Sequence, residues 1–466
     1  MRPSAASGHA HIYPAPEGWP AGTDFKVRVN GQAVFVYQTP VASFAAFACD
    51  GPVTVEIEPA FEVDAATVKV RPLRHKLTPV QDGNTWKLEL DGPLQLSFEA
   101  NNDYERPLLL FANGPESDKP DPDDPAVHFF KGGRVYPVGE LTLKQGEQVY
   151  IEGGAVVVGN IFGERLNDVV IRGHGLLDVP VMENPAREGQ SARAILLGDC
   201  RGVRVEGLMF HKQAGWTVCP FGCRDVLVRD IKVISEKCTG DGVDIMGTQD
   251  VVVEDSFFRT NDDCVAIKAS AAVEFRFPYA MANVERVRVR RCILWNDHCG
   301  NAIEIGYETR CHHMSDIVFE DIDIIHCEFE GWSSGAAISI HNGDEAIVRD
   351  VVFENIRIED APEKLFDFRI MHAAYTQSRR KGSIHNVRCK DIAVIDGPLA
   401  PSLLDGWWDR ETPDVGKVSE IYFENLTYLG QPLLNNIDAR MILAKCDNVF
   451  FYRTHKDAGE KPSWAL

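Results

Sequence analysis

The chain repeats one strand pattern eight times. The unit is a V-x-V segment, then an acidic residue or asparagine, then a second short apolar run. The copies begin at Val203, Val226, Val251, Val287, Ile317, Val351, Val387 and Ile421. Successive starts lie 23, 25, 36, 30, 34, 36 and 34 residues apart. Periods of this size, built on strands with no helical pattern between them, specify a solenoid. The expected fold class is therefore all-β, a right-handed parallel β-helix in which each strand pairs with its copy in the next coil. Residues 149–159 read as its opening coil. Asp or Asn at the turn can bond its own backbone. Turn positions such as Asp250, Asp255, Asp321 and Asp350 are read as turn-formers. The longer periods imply loops inserted at the turns, where a binding cleft would be shaped.

Residues 1–113 have a different texture. The segments 25–29, 33–37, 53–57, 67–70 and 94–98 alternate apolar and polar residues between short Gly, Pro, Asn and Asp stretches, and 107–112 reads as a last strand. This is the pattern of an antiparallel sandwich with one face of each sheet buried. The Pro- and Asp-rich stretch at 114–130 reads as a linker, leaving 131–466 as the β-helix domain.

A second short strand follows the repeat unit. Val243-Asp-Ile, Val265-Ala-Ile, Ile303-Glu-Ile and Ile338-Ser-Ile superpose. Side chains alternate along a strand, so the aliphatic residues point inward and the middle ones outward. One outward column is then Asp244, Ala266, Glu304, Ser339. The next is Met246, Lys268, Gly306, His341. Asp241, Asp263, Asn301 and Ala336 head the strands, with Asp262 one residue before Asp263. Coils stack about 4.8 Å apart, so these groups gather on one face although they span some 100 residues of chain.

Repulsion among close carboxylates raises the pKa of at least one. One protonated and one ionised carboxyl is what glycoside hydrolysis requires. Asp241, Asp262 and Asp263 are the candidate catalytic residues. Asp244, Lys268, Asn301, Glu304, His341, His298, Tyr307 and Trp216 are candidates for binding substrate. Each of the two histidines, taken alone, reads more readily as structural. Trp295, Trp332, Trp407 and Trp408 complete the set of possible sugar platforms. Burial is the commoner fate of such residues, the polar loop around Trp407-Trp408 excepted.

Charge narrows the partners. A net charge of −21 repels nucleic acid and anionic membranes, and weighs mildly against a polyuronate. A carbohydrate is the expected partner, and oligomeric state is left open. No run of 18 apolar residues occurs. The N-terminus has no apolar h-region. A native N-terminus would point to the cytoplasm, and a removed signal peptide to a secreted or periplasmic chain. The 12 cysteines show no zinc-like pairing and are expected as reduced, buried thiols.

At these residues the chain resembles the polygalacturonase-like clan of β-helix glycoside hydrolases. The Asn-Thr-Asp-Gly-x-Asp motif of glycoside hydrolase family 28 has its counterpart in Cys238-Thr-Gly-Asp-Gly-Val-Asp244. The family's Asp-Asp-Cys-x-Ala motif is intact at Asp262–Ala266. Trp216-Thr-Val is also similar. The family's Gly-His-Gly-x-Ser-Ile-Gly corresponds to Gly300-Asn-Ala-Ile-Glu-Ile-Gly306, with Asn for His and Glu for Ser. Its later Arg-Ile-Lys uronate clamp has no match, and the comparable strand is Ile338-Ser-Ile-His341. The sandwich before the β-helix, and the Ala-Ile-Lys and Ile-Glu-Ile-Gly segments, look more like family 49, the dextranase and isopullulanase group. The resemblance implies an inverting hydrolase. Asp262 would be the general acid, with Asp241 and Asp263 holding and deprotonating the water. It implies no metal or organic cofactor. A dextran-like α-glucan is the favoured substrate and a pectic glycan the alternative. A β-helix lyase using Lys268 and a non-catalytic glycan-binding solenoid are the rivals.

Overall fold

The computed structural model describes residues 8–179, 193–212, 215–269, 282–328, 335–408 and 416–454. Among them the only helical elements are two 3-10 turns, Ala65–Thr67 and Leu73–His75. Among the described residues no helix is long and apolar enough to cross a membrane.

The repeat becomes a parallel β-helix. Among the described residues its strands form one continuous 30-stranded sheet wound into coils. Val203, Val226, Val251, Val287, Ile317, Val351, Val387 and Ile421 are successive register partners. The first positions of the sequence repeat thus stack as a single aliphatic ladder. Ile245, Ile267, Ile305, Ile340, Phe368 and Leu404 form another. Both ladders are buried, so every coil closes its core against the coils on either side. The turn residues Asp250, Asp255, Asp321 and Asp350 take φ of 59°, 54°, 55° and 56°. This is the left-handed region that Asp tolerates better than most residues.

The solenoid starts earlier than 149. Val127–Phe130, inside the stretch expected as linker, pairs in parallel with Gln148–Ile151. Val135–Thr142 pairs with Val156–Glu164. These first strands are only half-buried, with no coil before them, so their apolar alternation is weak.

Before the solenoid lie a six-stranded and a five-stranded sheet, with one core between them that includes Val55, Ile57, Leu88, Phe47, Leu96 and Leu110. Pairing is antiparallel except between Ser43–Cys49 and Leu108–Asn113, which run parallel. Both of these strands are buried along their whole length. Their outer residues Phe44, Ala46, Leu109 and Phe111 pack on Leu176, Met209, Phe257 and Trp295 of the solenoid. A strand covered on both faces loses polar alternation, which is why Ser43–Cys49 carries no period-two signal.

Ion pairs complete the seam. Arg71 places Nε 3.2 Å from Glu99 and Nη1 2.6 Å from Glu359 of the solenoid. All three side chains are almost fully buried. His326 Nε2 lies 2.9 Å from the same Glu99. Breaking a buried pair leaves a charge uncompensated at a cost of about 3–5 kcal/mol. Arg71→Ala should therefore lower stability by about that amount, read as a shift of the first transition in denaturant unfolding. A shift below about 1 kcal/mol, the range of surface pairs, would show that the seam does not depend on this network.

Candidate active site

The acids sit on the turns that lead into one column of strands. Val243–Met246, Val265–Ala269, Ile303–Thr309 and Ile338–Asn342 pair in sequence. Asp244, Ala266, Glu304 and Ser339 are register partners, and so are Gly306 and His341. The turns place Asp241, Asp262 and Asp263 at the mouth of a cleft of about 540 Å³. Trp216, Lys268, Tyr307, Glu308 and Tyr375 also line it.

Lys268 holds the acids together. Its Nζ lies 2.8 Å from Asp241 Oδ2, 2.9 Å from Asp244 Oδ1 and 3.6 Å from Asp263 Oδ2. Burial disfavours the ammonium, but the charges of Asp241 and Asp244 outweigh it and hold the lysine well above its ordinary range. Burial, reinforced by the charge of Asp241, pushes Asp244 well above the usual carboxylate range. Asp244 is also within hydrogen-bonding reach of Asp241, and such a bond needs a proton.

Asp262 stands beside this group. Its Oδ2 accepts from the Thr239 N–H at 2.7 Å and its Oδ1 from the Asp263 N–H at 3.0 Å. Burial, then the charge of Asp241, raises it to about 7, with Lys268 opposing. Burial likewise raises Asp263 well above its usual range, against the pull of Lys268. The nearest oxygens of Asp241, Asp262 and Asp263 fall within 4.8 Å of one another. Three acidic ligands at that spacing could hold a cation, but the Lys268 ammonium already serves Asp241 and Asp263. A second trio of possible ligands, Asp297, His298 and Glu328, has Asp297 committed to Arg259 at 2.8 Å.

The other candidates separate into two groups. Trp216 and Tyr307 line the cleft with Lys268. The Trp216 ring is occupied by cations, with Lys268 Nζ 4.4 Å and Arg193 Cζ 4.6 Å from its centroid. Asp244, Asn301, Glu304 and His341 are fully buried behind the lining. Asn301 donates to Asp263 Oδ1 at 2.8 Å and accepts from Ser339 Oγ at 2.5 Å. His341 bridges Glu304 at 2.9 Å and Asp367 at 3.2 Å, and stacks under the Tyr307 ring at 4.5 Å. These four hold up the site floor. The His298 side chain is exposed and lies outside the lining. Trp295 is buried in the seam. Trp407 and Trp408 are exposed outside the cleft. Trp332 falls outside the described residues.

Sequence reasoning passed over three features. Tyr375, 58% exposed, sits with its ring 6.2 Å from Tyr307 and offers a sugar platform. No repeat marked it, because it lies in a loop. Glu308 enters through a register shift. Lys268 alone lies between the paired residues Ile267 and Ala269, where Gly306, Tyr307 and Glu308 lie between Ile305 and Thr309.

The third feature corrects the expectation of reduced thiols. Cys238 and Cys299 form a disulfide with Cα atoms 5.7 Å apart, while the other ten cysteines are free. The two half-cystines sit two coils apart and bridge the turn that carries Asp262. Thr239, next to one, bonds Asp262. Gly300, next to the other, has φ +70°, and a Cβ there would come within 2.3 Å of Asp262 Oδ1. The bridge frames Asp262 closely, and only glycine fits beside it.

Residues 142–396, more than half of the chain, match the model described as glycosyl hydrolases family 28. Polygalacturonase QRT2 of Arabidopsis thaliana is 20% identical over 254 residues, which cover 48% of this chain and 52% of that protein. The chain thus spans about half the length of this curated relative. The structure of Dex49A from Penicillium minioluteum has a TM-score of 0.64 at 15% identity, over 92% of this chain and 96% of that one. That likeness is one of fold.

Thiol titration checks the bridge. Denatured, unreduced protein should titrate ten thiols, and reduced protein all 12. Twelve thiols before reduction would remove the bridge from the site.

Proposed function

The chain belongs to glycosyl hydrolases family 28, and from that membership we propose that it hydrolyses α-glycosidic bonds in a neutral poly- or oligosaccharide, with a dextran-like α-glucan the favoured class. The observation that carries the substrate class is the charge of the cleft. Its lining holds four acids, Asp241, Asp262, Asp263 and Glu308, against one cation, Lys268. That cation is already bound to Asp241 and Asp244. Among the described lining residues a sugar carboxylate would meet repulsion and find no uncommitted basic partner, whereas neutral hydroxyls can donate to the acids.

In this reading Asp262 is the general acid. It gives its proton to the glycosidic oxygen as the bond to the anomeric carbon breaks. A water held by Asp241 and Asp263 attacks that carbon and loses its proton to one of them. The sum consumes one water and yields a new reducing end and a free hydroxyl, and a proton returned through solvent resets Asp262. The family resemblance carries the inverting outcome. Carboxyl groups in inverting enzymes usually stand about 6.5–9.5 Å apart, against about 5–5.5 Å in retaining ones, and the oxygens here approach within 4.8 Å. The anomer first released, followed by NMR, decides between the two. A second reading, hydrolysis of galacturonan, is favoured by the family match and the polygalacturonase relative.

Reducing ends released from a panel of neutral and acidic glycans test the substrate class. Asp262→Asn should lower kcat at least about 10²–10⁴-fold, the range of general-acid catalysis, with the fold retained by circular dichroism. Near-normal turnover would remove Asp262 from the acid role. A general acid works only when protonated, and Asp262 is pushed up to about 7. In the wild type, kcat/KM should therefore fall about tenfold per unit above that pH, and the need for an ionised base should give a separate ascending limb at lower pH. A profile with no descending limb through neutral pH would contradict the assignment.

A further inference from the structure

Glu308 is the one carboxyl of the cleft lining that neither the sequence motifs nor the proposed chemistry uses. It is 5% exposed, yet it faces the cleft. Among the described residues no side chain donates a hydrogen bond to it or forms an ion pair with it. The other three lining acids are all engaged: Asp241 by Lys268, Asp262 by two backbone N–H groups, and Asp263 by Asn301. The Glu308 carboxyl is bonded by its own backbone N–H, and burial raises it above its ordinary range, so a buried carboxyl with so few partners is costly to keep. Its position is also specifically built. The register shift that sets Gly306, Tyr307 and Glu308 against Lys268 alone carries Glu308 to the cleft wall. There its charge acts on both Lys268 and Tyr375.

We propose that Glu308 is a specificity-determining residue that accepts hydrogen bonds from sugar hydroxyls at the subsite beside Tyr375 and excludes sugars bearing a carboxylate. This rests on the neutral-glycan reading of the same cleft. The two carboxylate oxygens match a vicinal diol, which can donate to both. A uronate at that position would set two carboxylates against each other in a half-closed cleft, with Lys268 already committed. Glu308 takes no part in proton transfer, so its effect falls on binding.

The test compares wild type with Glu308→Gln and Glu308→Asp on dextran-derived oligosaccharides, with oligogalacturonide as a competitor. Glu308→Gln is isosteric, and an unchanged unfolding midpoint controls for folding. It should raise KM about tenfold, the loss expected for hydrogen bonds to a charged acceptor, with kcat within about twofold. Inhibition by oligogalacturonide should tighten severalfold. Glu308→Asp, which keeps the charge, should retain the weak inhibition and recover part of the KM. Wild-type cleavage of the glucan with KM unchanged in Glu308→Gln overturns this inference and leaves the neutral-glycan reading standing. A fall in kcat alone overturns it as well, because it would place Glu308 in the chemistry. Wild-type cleavage confined to galacturonan overturns both.

Discussion

The Lys268 ammonium is the interaction on which the site depends. Three carboxyls, those of Asp241, Asp244 and Asp263, lie within 3.6 Å of its Nζ, in surroundings that exclude most water. Without a cation, burial and mutual repulsion would protonate the group or push it apart. With one, the protons are shared out unevenly. Burial pushes Asp244 and Asp263 well above the usual carboxylate range, and Asp262, with Lys268 opposing, is raised to about 7. A single lysine thus gives neighbouring acids of the same residue type different tasks, which is the condition for acid–base chemistry in one cleft.

The fold supplies the spacing that makes this possible. In a parallel β-helix, consecutive coils repeat the same backbone about 4.8 Å apart. An acid placed at one turn position therefore falls beside any acid at that position in the next coil. Asp241 and Asp263 are brought together by that rule. The exceptions to the repeat add what it cannot. A register shift opposite Lys268 brings in Glu308 and Tyr307. A covalent bridge draws turns two coils apart to a Cα separation of 5.7 Å, where the regular stacking would leave about 9.6 Å.

This division also marks what the sequence makes legible. The aliphatic ladders, the column from Asp244 to Ser339 and the meeting of the three acids all follow from aligned repeats, because register in a solenoid is a property of sequence spacing. Glu308, Tyr375 and the Cys238–Cys299 bridge do not follow, because each depends on a departure from the repeat. A bulge shifts the frame in which columns are counted, a loop has no frame, and a disulfide between coils two apart needs turns that lean inward. The burial of Glu304, Asn301 and His341 behind the lining was hidden for a related reason. Period-two alternation says that a side chain leaves the aliphatic core, but not whether another layer covers it. Tyr307 provides that layer over His341.

The same logic bears on two of the places where the chain departs from the motifs of its family. Where the family pattern has a histidine, Asn301 donates to Asp263 and is fixed in turn by Ser339 and the Ala336 N–H. An amide so placed can orient a carboxylate but cannot carry a proton at neutral pH. Where the family has asparagine at the head of its first motif, counting back from Asp241 gives Thr239, whose N–H holds Asp262 and which follows the half-cystine Cys238. At both positions the chain fixes an acid: Asn301 holds Asp263 and the Thr239 N–H holds Asp262. In the proposed mechanism proton transfer falls to the carboxyls alone, and recognition to the wall built by Tyr307, Glu308 and Tyr375. A site rearranged in this way keeps the reaction of its family most firmly where the three aspartates stand, and is freest to change its sugar where the repeat breaks.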